Sequence, residues 1–263
     1  MKKIQTYLKN HPFIFAIVAL VMSRIAGGAT ITLVQLVKPD YTVQDELGWL
    51  LMVVYASVVV SLVYWTDTAA EVGLKPTKTS KEWLLCLPLL SIPLFILVNN
   101  GVYSWGTAQN LVLFIAAIGV SVNEEVLFRG ILLRGFMKWG PWIAIFVPSA
   151  LFALLHSTNI FVGGDPTFAI FQTIWTFVAG VMLSALRLRT NSLYPVIVLH
   201  ILIDGVEYFS TGEYGVHPEA MPTLTLLLFA VLMFILAIYT VILFYRSTIK
   251  QNSYINLKDE RTL

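Results

Sequence analysis

Eight apolar runs, at roughly 12–37, 48–65, 83–99, 108–134, 141–158, 168–187, 193–209 and 222–245, take up most of the 263 residues and leave short polar connections. A bilayer core offers no water to backbone N–H and C=O groups, so only α-helices and closed barrels cross it. Helices fit these runs, because about 20 residues rising about 1.5 Å each span a core about 30 Å thick. The predicted fold is all-α: a polytopic membrane bundle of about eight transmembrane helices. A chain that is 57% hydrophobic and 12% charged agrees, and no nucleic-acid partner is expected of it.

Lys and Arg orient the bundle. A cytoplasmic N-terminus places Lys2, Lys3, Lys9, Lys75, Lys78, Lys81, Arg134, Lys138, Arg187, Arg189, Arg246, Lys250, Lys258 and Arg261 on one side, against Lys38 alone on the other. The exterior loops carry Asp40, Asp45, Glu46, Asp165, Glu213 and Glu219. Both termini are therefore expected in the cytoplasm, with the chain multi-pass in the cell membrane. Residues 1–246 read as one membrane domain and 247–263 as a polar, mobile cytoplasmic tail. The opening MKKIQTYLKNHPFIFAIVAL has the look of a secretory signal, yet its apolar run continues to Val37 and Ala26–Ala29 is a poor cleavage site. It is expected to stay as the first span. Arg24 within it should meet a carboxylate of the bundle or a wet cavity. The single cysteine, Cys86, rules out a disulfide framework and reads as a packing residue.

The motif core is 110–209, and its densest part is Asn110 to Phe136. Two adjacent acids, Glu124 and Glu125, interrupt that run, and Arg129 follows. A charge near the centre of a spanning helix costs about 2.5–3.5 kcal/mol on insertion scales, so such residues mark a site or a pairing. On a helix, Glu125 and Arg129 stand about 40° apart with the acid N-terminal, which favours an ion pair. Glu124 is turned about 100° away and has no local partner. Glu125–Arg129 therefore reads as structural glue and Glu124 as the working group.

Two further spans carry polar residues. The fifth holds Pro148, Phe152 and, one turn on, His156. The seventh holds His200 and Asp204 on one face, with Glu207 continuing the stripe. At about 1.5 Å per residue, Glu124 lies about 15 Å from Arg134 and His156 about 21 Å from Trp142. His200 and Asp204 lie about 9 and 15 Å from Tyr194 by the same rule. Three helices thus offer two carboxylates and two imidazoles to one slab of the membrane. Such a set can deprotonate water and stabilise an oxyanion, or hold a divalent metal such as zinc that does both. Competing designs are absent: there is no H-E-x-x-H, no G-x-S-x-G and no Walker or dinucleotide glycine motif.

Glu124-Glu125-x-x-x-Arg129, Phe152-x-x-x-His156 and His200-x-x-x-Asp204, in that order, resemble the motifs of the CAAX protease and bacteriocin-processing (CPBP, or Abi) family of intramembrane endopeptidases, which includes CAAX prenyl protease 2-like enzymes. The resemblance implies Glu124 as general base and His156 as its partner in holding water. It implies His200 and Asp204 at the oxyanion, Glu125–Arg129 as structural, and Phe152 packed beneath His156. It leaves open whether Glu124, His156, His200 and Asp204 bind a metal. It also implies a hydrophobic or lipidated peptide substrate delivered in the bilayer. Many members carry Asn where this chain has Asp204, and an ionised aspartate cannot donate to an oxyanion. Asp204 is then protonated, or orients His200, or ligates a metal. The alternatives to an enzyme are a non-catalytic scaffold, such as a self-immunity or sensor-regulating protein, and a proton-coupled carrier.

Overall fold

The computed structural model describes residues 1–41, 47–158, 161, 166–213 and 222–259, with side chains described as far as Tyr245. Asp45, Glu46, Asp165, His217, Glu219 and Arg261 lie outside the described residues. Among the described residues the regular elements are all helical. They are α1 (Lys2–Asn10), α2 (Pro12–Gln35), α3 (Trp49–Trp65), α4 (Ala69–Val72), α5 (Ser91–Asn100) and α6 (Thr107–Glu125), then α7 (Leu133–Phe136), α8 (Pro141–Ser157), α9 (Pro166–Thr190), α10 (Tyr194–Thr211) and α11 (Thr223–Asp259). A 3-10 stretch, Ser80–Leu90, leads into α5, and a π-helical stretch, Val126–Leu132, joins α6 to α7.

Each of the eight apolar runs is helical. Five stretches are long and apolar enough to cross a membrane: Pro12–Gln35, Ser80–Asn100, Thr107–Trp139, Pro166–Thr190 and Thr223–Tyr245. Trp49–Trp65 and Pro141–Ser157 are shorter apolar helices. Helix α10 is not among the five, because His200, Asp204 and Glu207 dilute its apolar sequence. Helix α11 carries the backbone on to Asp259, so the polar stretch after Tyr245 is helical for most of its length. Pro in the first turn starts α2, α8 and α10, where its missing N–H has no intrahelical partner to lose.

Two apolar clusters meet at α10. Leu193 and Ile197 join Val63, Val126, Phe128 and Phe152 in one; Val196, Leu199 and Ile203 join Leu89, Ala179, Met182 and Phe229 in the other. His200 therefore sits on the seam between them.

One end of the bundle is locked by a short turn. In α4, Glu71 pairs with Lys9 at 3.2 Å and Arg134 at 2.5 Å. Arg187 is not a loop cation, as its position near the end of an apolar run implied, but is buried. It donates to the Val72 carbonyl from Nε at 3.2 Å and Nη2 at 2.9 Å, and from Nη2 to the Glu71 carbonyl at 3.2 Å. Its Nη1 reaches Asn191 Oδ1 at 3.1 Å. Gly73 follows with φ +103°, and its carbonyl accepts from Leu193 N at 2.7 Å, at the start of α10. A side chain at Gly73 would strike the Arg187 guanidinium, so glycine is required there by space as well as by φ.

Val72 packs against Gly130 of the π stretch, leaving no room for a Cβ at Gly130. Arg187 thus fixes a turn that touches both halves of the polar site. Arg187→Met is expected to strand the Val72 and Glu71 carbonyls, at about 1–3 kcal/mol each. Thermal unfolding in detergent checks this: a clear drop in melting temperature is expected, and an unchanged one would contradict the assignment.

Candidate active site

The chain leaves α-helical geometry where the charges fall. Glu125 is the last residue of α6, and from Val126 the backbone widens to i→i+5 bonding. The regular helix assumed from the apolar run through Phe136 therefore gives way after Glu125. The wider turn carries Arg129, whose side chain is 0% exposed. Across from it, Gly180 of α9 has no Cβ to offer, and one built there would stand 3.0 Å from Arg129 Nη2 and 2.9 Å from Ser149 Cβ. Phe152 of α8 closes the remaining side, its ring centre 4.3 Å from Arg129 Cζ, a cation–π arrangement.

Glu125 Oε1 is the junction of the site. It accepts from Arg129 Nη1 at 2.9 Å and contacts His200 Nδ1 at 2.7 Å. A carboxylate paired with arginine only accepts, so the His200 Nδ1 carries the hydrogen. Its Nε2 is then turned toward Glu124 Oε2 at 3.7 Å and Asp204 Oδ1 at 3.4 Å. His156 is fixed in the same sense. Its Nδ1 lies 2.9 Å from the Phe152 carbonyl, which can only accept, and its Nε2 is left free. The Phe152 ring packs edge-on to both imidazoles, with centroids 4.5 Å from His156 and 6.3 Å from His200. His200, His156 and Asp204 all stand close enough to Glu124 to interact with it.

Glu124, His156, His200 and Asp204 are thus gathered from α6, α8 and α10. Exposure separates the two acids. Glu124 keeps 24% of its side chain open and Glu125 none, so only the first is accessible. The expected Glu125–Arg129 pair forms, and Phe152 lies against His156 as expected. The link from Glu125 to His200 was not read from the sequence: 75 residues separate the two, and helical spacing speaks only for neighbours on one helix. Gly180 was also missed, its one signal being a small residue inside an apolar helix. Arg24 pairs with no carboxylate among the described residues, and its guanidinium lies over the Tyr55 ring at 4.5 Å. Cys86 is buried as packing.

His and carboxylate groups suit zinc chemically. Among the described residues, however, no three His, Cys, Asp or Glu side chains converge to hold an ion. His200 Nδ1 is engaged by Glu125, which leaves Nε2 facing Glu124 and Asp204. No step proposed for the site runs through a metal.

Several buried polar atoms have no hydrogen-bond partner among the described residues, including Glu125 Oε2, Arg129 Nε and Nη2, and Asp204 Oδ2. Such groups cost about 1–3 kcal/mol each, a burden that concentrates where a site is kept polar for its chemistry.

Set against known protein families, residues 106–206 match the one described as Rce1-like, a type II CAAX prenyl endopeptidase. That segment contains Glu124, Glu125, Arg129, Phe152, His156, His200 and Asp204. No curated protein and no solved structure gave a match.

Asp204 can be probed at the unpartnered oxygen. Asparagine there keeps an oxygen for His200 and puts an amide donor where Oδ2 stands. Asp204→Asn is expected to retain at least about a tenth of the hydrolytic rate, less than about 1.4 kcal/mol of lost transition-state stabilisation. Loss beyond a hundredfold in folded protein would assign the role to the carboxylate charge instead.

Proposed function

We propose that this chain is an intramembrane endopeptidase with Glu124 as its general base, a reading supported by the match of residues 106–206 to the Rce1-like family of type II CAAX prenyl endopeptidases and by the apolar helices long enough to cross a membrane. Its substrate is a hydrophobic or lipidated peptide presented from the bilayer. The observation that carries the reading is the contrast between the two acids: Glu125 is sealed and doubly engaged, whereas Glu124 is open and faces the free side of His200.

The step follows from the hydrogens. A water donates one hydrogen to Glu124 and the other to Nε2 of His156, whose Nδ1 is occupied by the Phe152 carbonyl. Glu124 takes the first proton as the water oxygen attacks the peptide carbonyl. The carbonyl oxygen becomes an oxyanion. His200 meets it from Nε2, and because Nδ1 also holds a hydrogen, the donating form is the imidazolium. The Glu125 carboxylate against that ring compensates its charge. Glu124 then returns its proton to the departing amine, and the C–N bond breaks. Separations of 3.4–3.7 Å are those of an open site, which tightens on substrate.

The α1 end of the bundle is proposed to face the cytoplasm. Lys9, Lys75, Arg134 and Arg187 are tied together there through α4 and its flanks, in keeping with the positive-inside bias.

Cleavage of a lipidated reporter peptide by purified protein in vesicles is the test. Glu124→Gln is expected to lower the rate by at least about a thousandfold, or about 4 kcal/mol, with melting temperature unchanged. Equal rates in the two proteins would overturn the proposal.

A further inference from the structure

Helix α1 does not continue the first span. His11, with φ −122° and ψ 71°, breaks the helix between Asn10 and Pro12. The contacts of α1 lie at one end of the bundle. Gln5 Nε2 donates to the carbonyl of Trp65, the last residue of α3, at 2.8 Å. Lys9 Nζ donates to the Asp67 carbonyl at 2.9 Å, and Arg134 Nη2 to the Lys9 carbonyl at 2.6 Å. Leu8 alone of the helix is buried, in the cluster with Phe15 and Val63. A nine-residue helix that touches the ends of α3 and α7 within two turns runs across that end.

Its other faces are open and of mixed chemistry, with the Tyr7 ring stacked on His11 at 4.1 Å. Ile4 is 58% exposed and Tyr7 50%, and Lys2 and Lys3 are exposed beside them. Lys9 and Arg134 are spent on Glu71, but Lys2 and Lys3 have no acidic partner among the described residues. The sequence holds no Asp or Glu before Asp40. Around the same end, Phe13 stacks on Trp139 at 5.4 Å, and Lys138 Nζ stands 4.1 Å over the Trp139 ring. Trp139 and Trp142 are each 52% exposed. Exposed tryptophans of this kind sit at headgroup level, and a short helix with apolar and lysine edges lies in that plane.

We infer that α1 is an interfacial helix that docks on anionic phospholipid headgroups, with Ile4 and Tyr7 entering the acyl boundary and Lys2 and Lys3 meeting lipid phosphates. The surface is cationic and uncompensated, and the aromatic collar places it where headgroups lie. Through Lys9 and Arg134 the docked helix is bonded to α7, which continues directly from the π stretch of the site. The inference rests on the membrane-spanning fold and not on the peptidase reading.

Deuterium exchange of the Lys2–Asn10 amides tests it. The full chain is reconstituted in phosphatidylcholine vesicles and in a two-to-one mixture of phosphatidylcholine with phosphatidylglycerol. In the anionic mixture exchange should slow by roughly 25-fold, about fivefold for each lysine. The Lys2→Gln/Lys3→Gln double variant should return to the phosphatidylcholine rate, with α2 exchange unchanged throughout. Equal wild-type rates in the two lipids would overturn the inference, as would a slowing that persists in the double variant.

Discussion

A single carboxylate oxygen, Glu125 Oε1, joins the two helical segments that meet at the candidate site. It receives Arg129 from its own helical segment and His200 from α10. Burying two full charges is favourable only when the pair is close and the remaining polar positions are filled. Here the bond to His200 fills one of them and fixes the direction of the imidazole as well. The orientation of Nε2 toward Glu124 and Asp204 is a consequence of that bond.

The rest of the architecture makes room for this junction. The π stretch gives Arg129 its place, Gly180 lets α9 approach it, and Phe152 covers it while packing on both histidines. Farther out, Val72 wedges against Gly130, and Arg187 holds Val72 by its carbonyl. The same α4 turn binds Leu193 at the start of α10, so one turn contacts both segments that supply the junction. Because packed interiors deform little, a shift in that turn is felt at the charges.

What could be read in the sequence was local or compositional. Run length gave the helices. Spacing along one helix gave the Glu125–Arg129 pair and singled out Glu124, and the order of three polar motifs gave the resemblance to a protease family that residues 106–206 match. What could not be read were relations between distant segments and departures from regular geometry. The Glu125–His200 bond joins different helices, and the π stretch looks like any apolar helix in one-letter code. Arg187 and Arg189 are near neighbours of one type, yet Arg187 is buried against two carbonyls. Arg24 was expected to seek a carboxylate or water and lies on an aromatic face. Donor identities alone allowed a metal, and among the described residues no three such side chains converge to hold an ion.

The most direct measurement is a double-mutant cycle between Glu125 and His200, using Glu125→Gln, His200→Ala and both together, read as unfolding free energy in mixed micelles. A charge-assisted hydrogen bond across the two helices corresponds to a coupling of about 1.5–3 kcal/mol. A coupling within about 0.5 kcal/mol of zero would mean that the two groups do not meet, and the site assembled around them would fall with that bond.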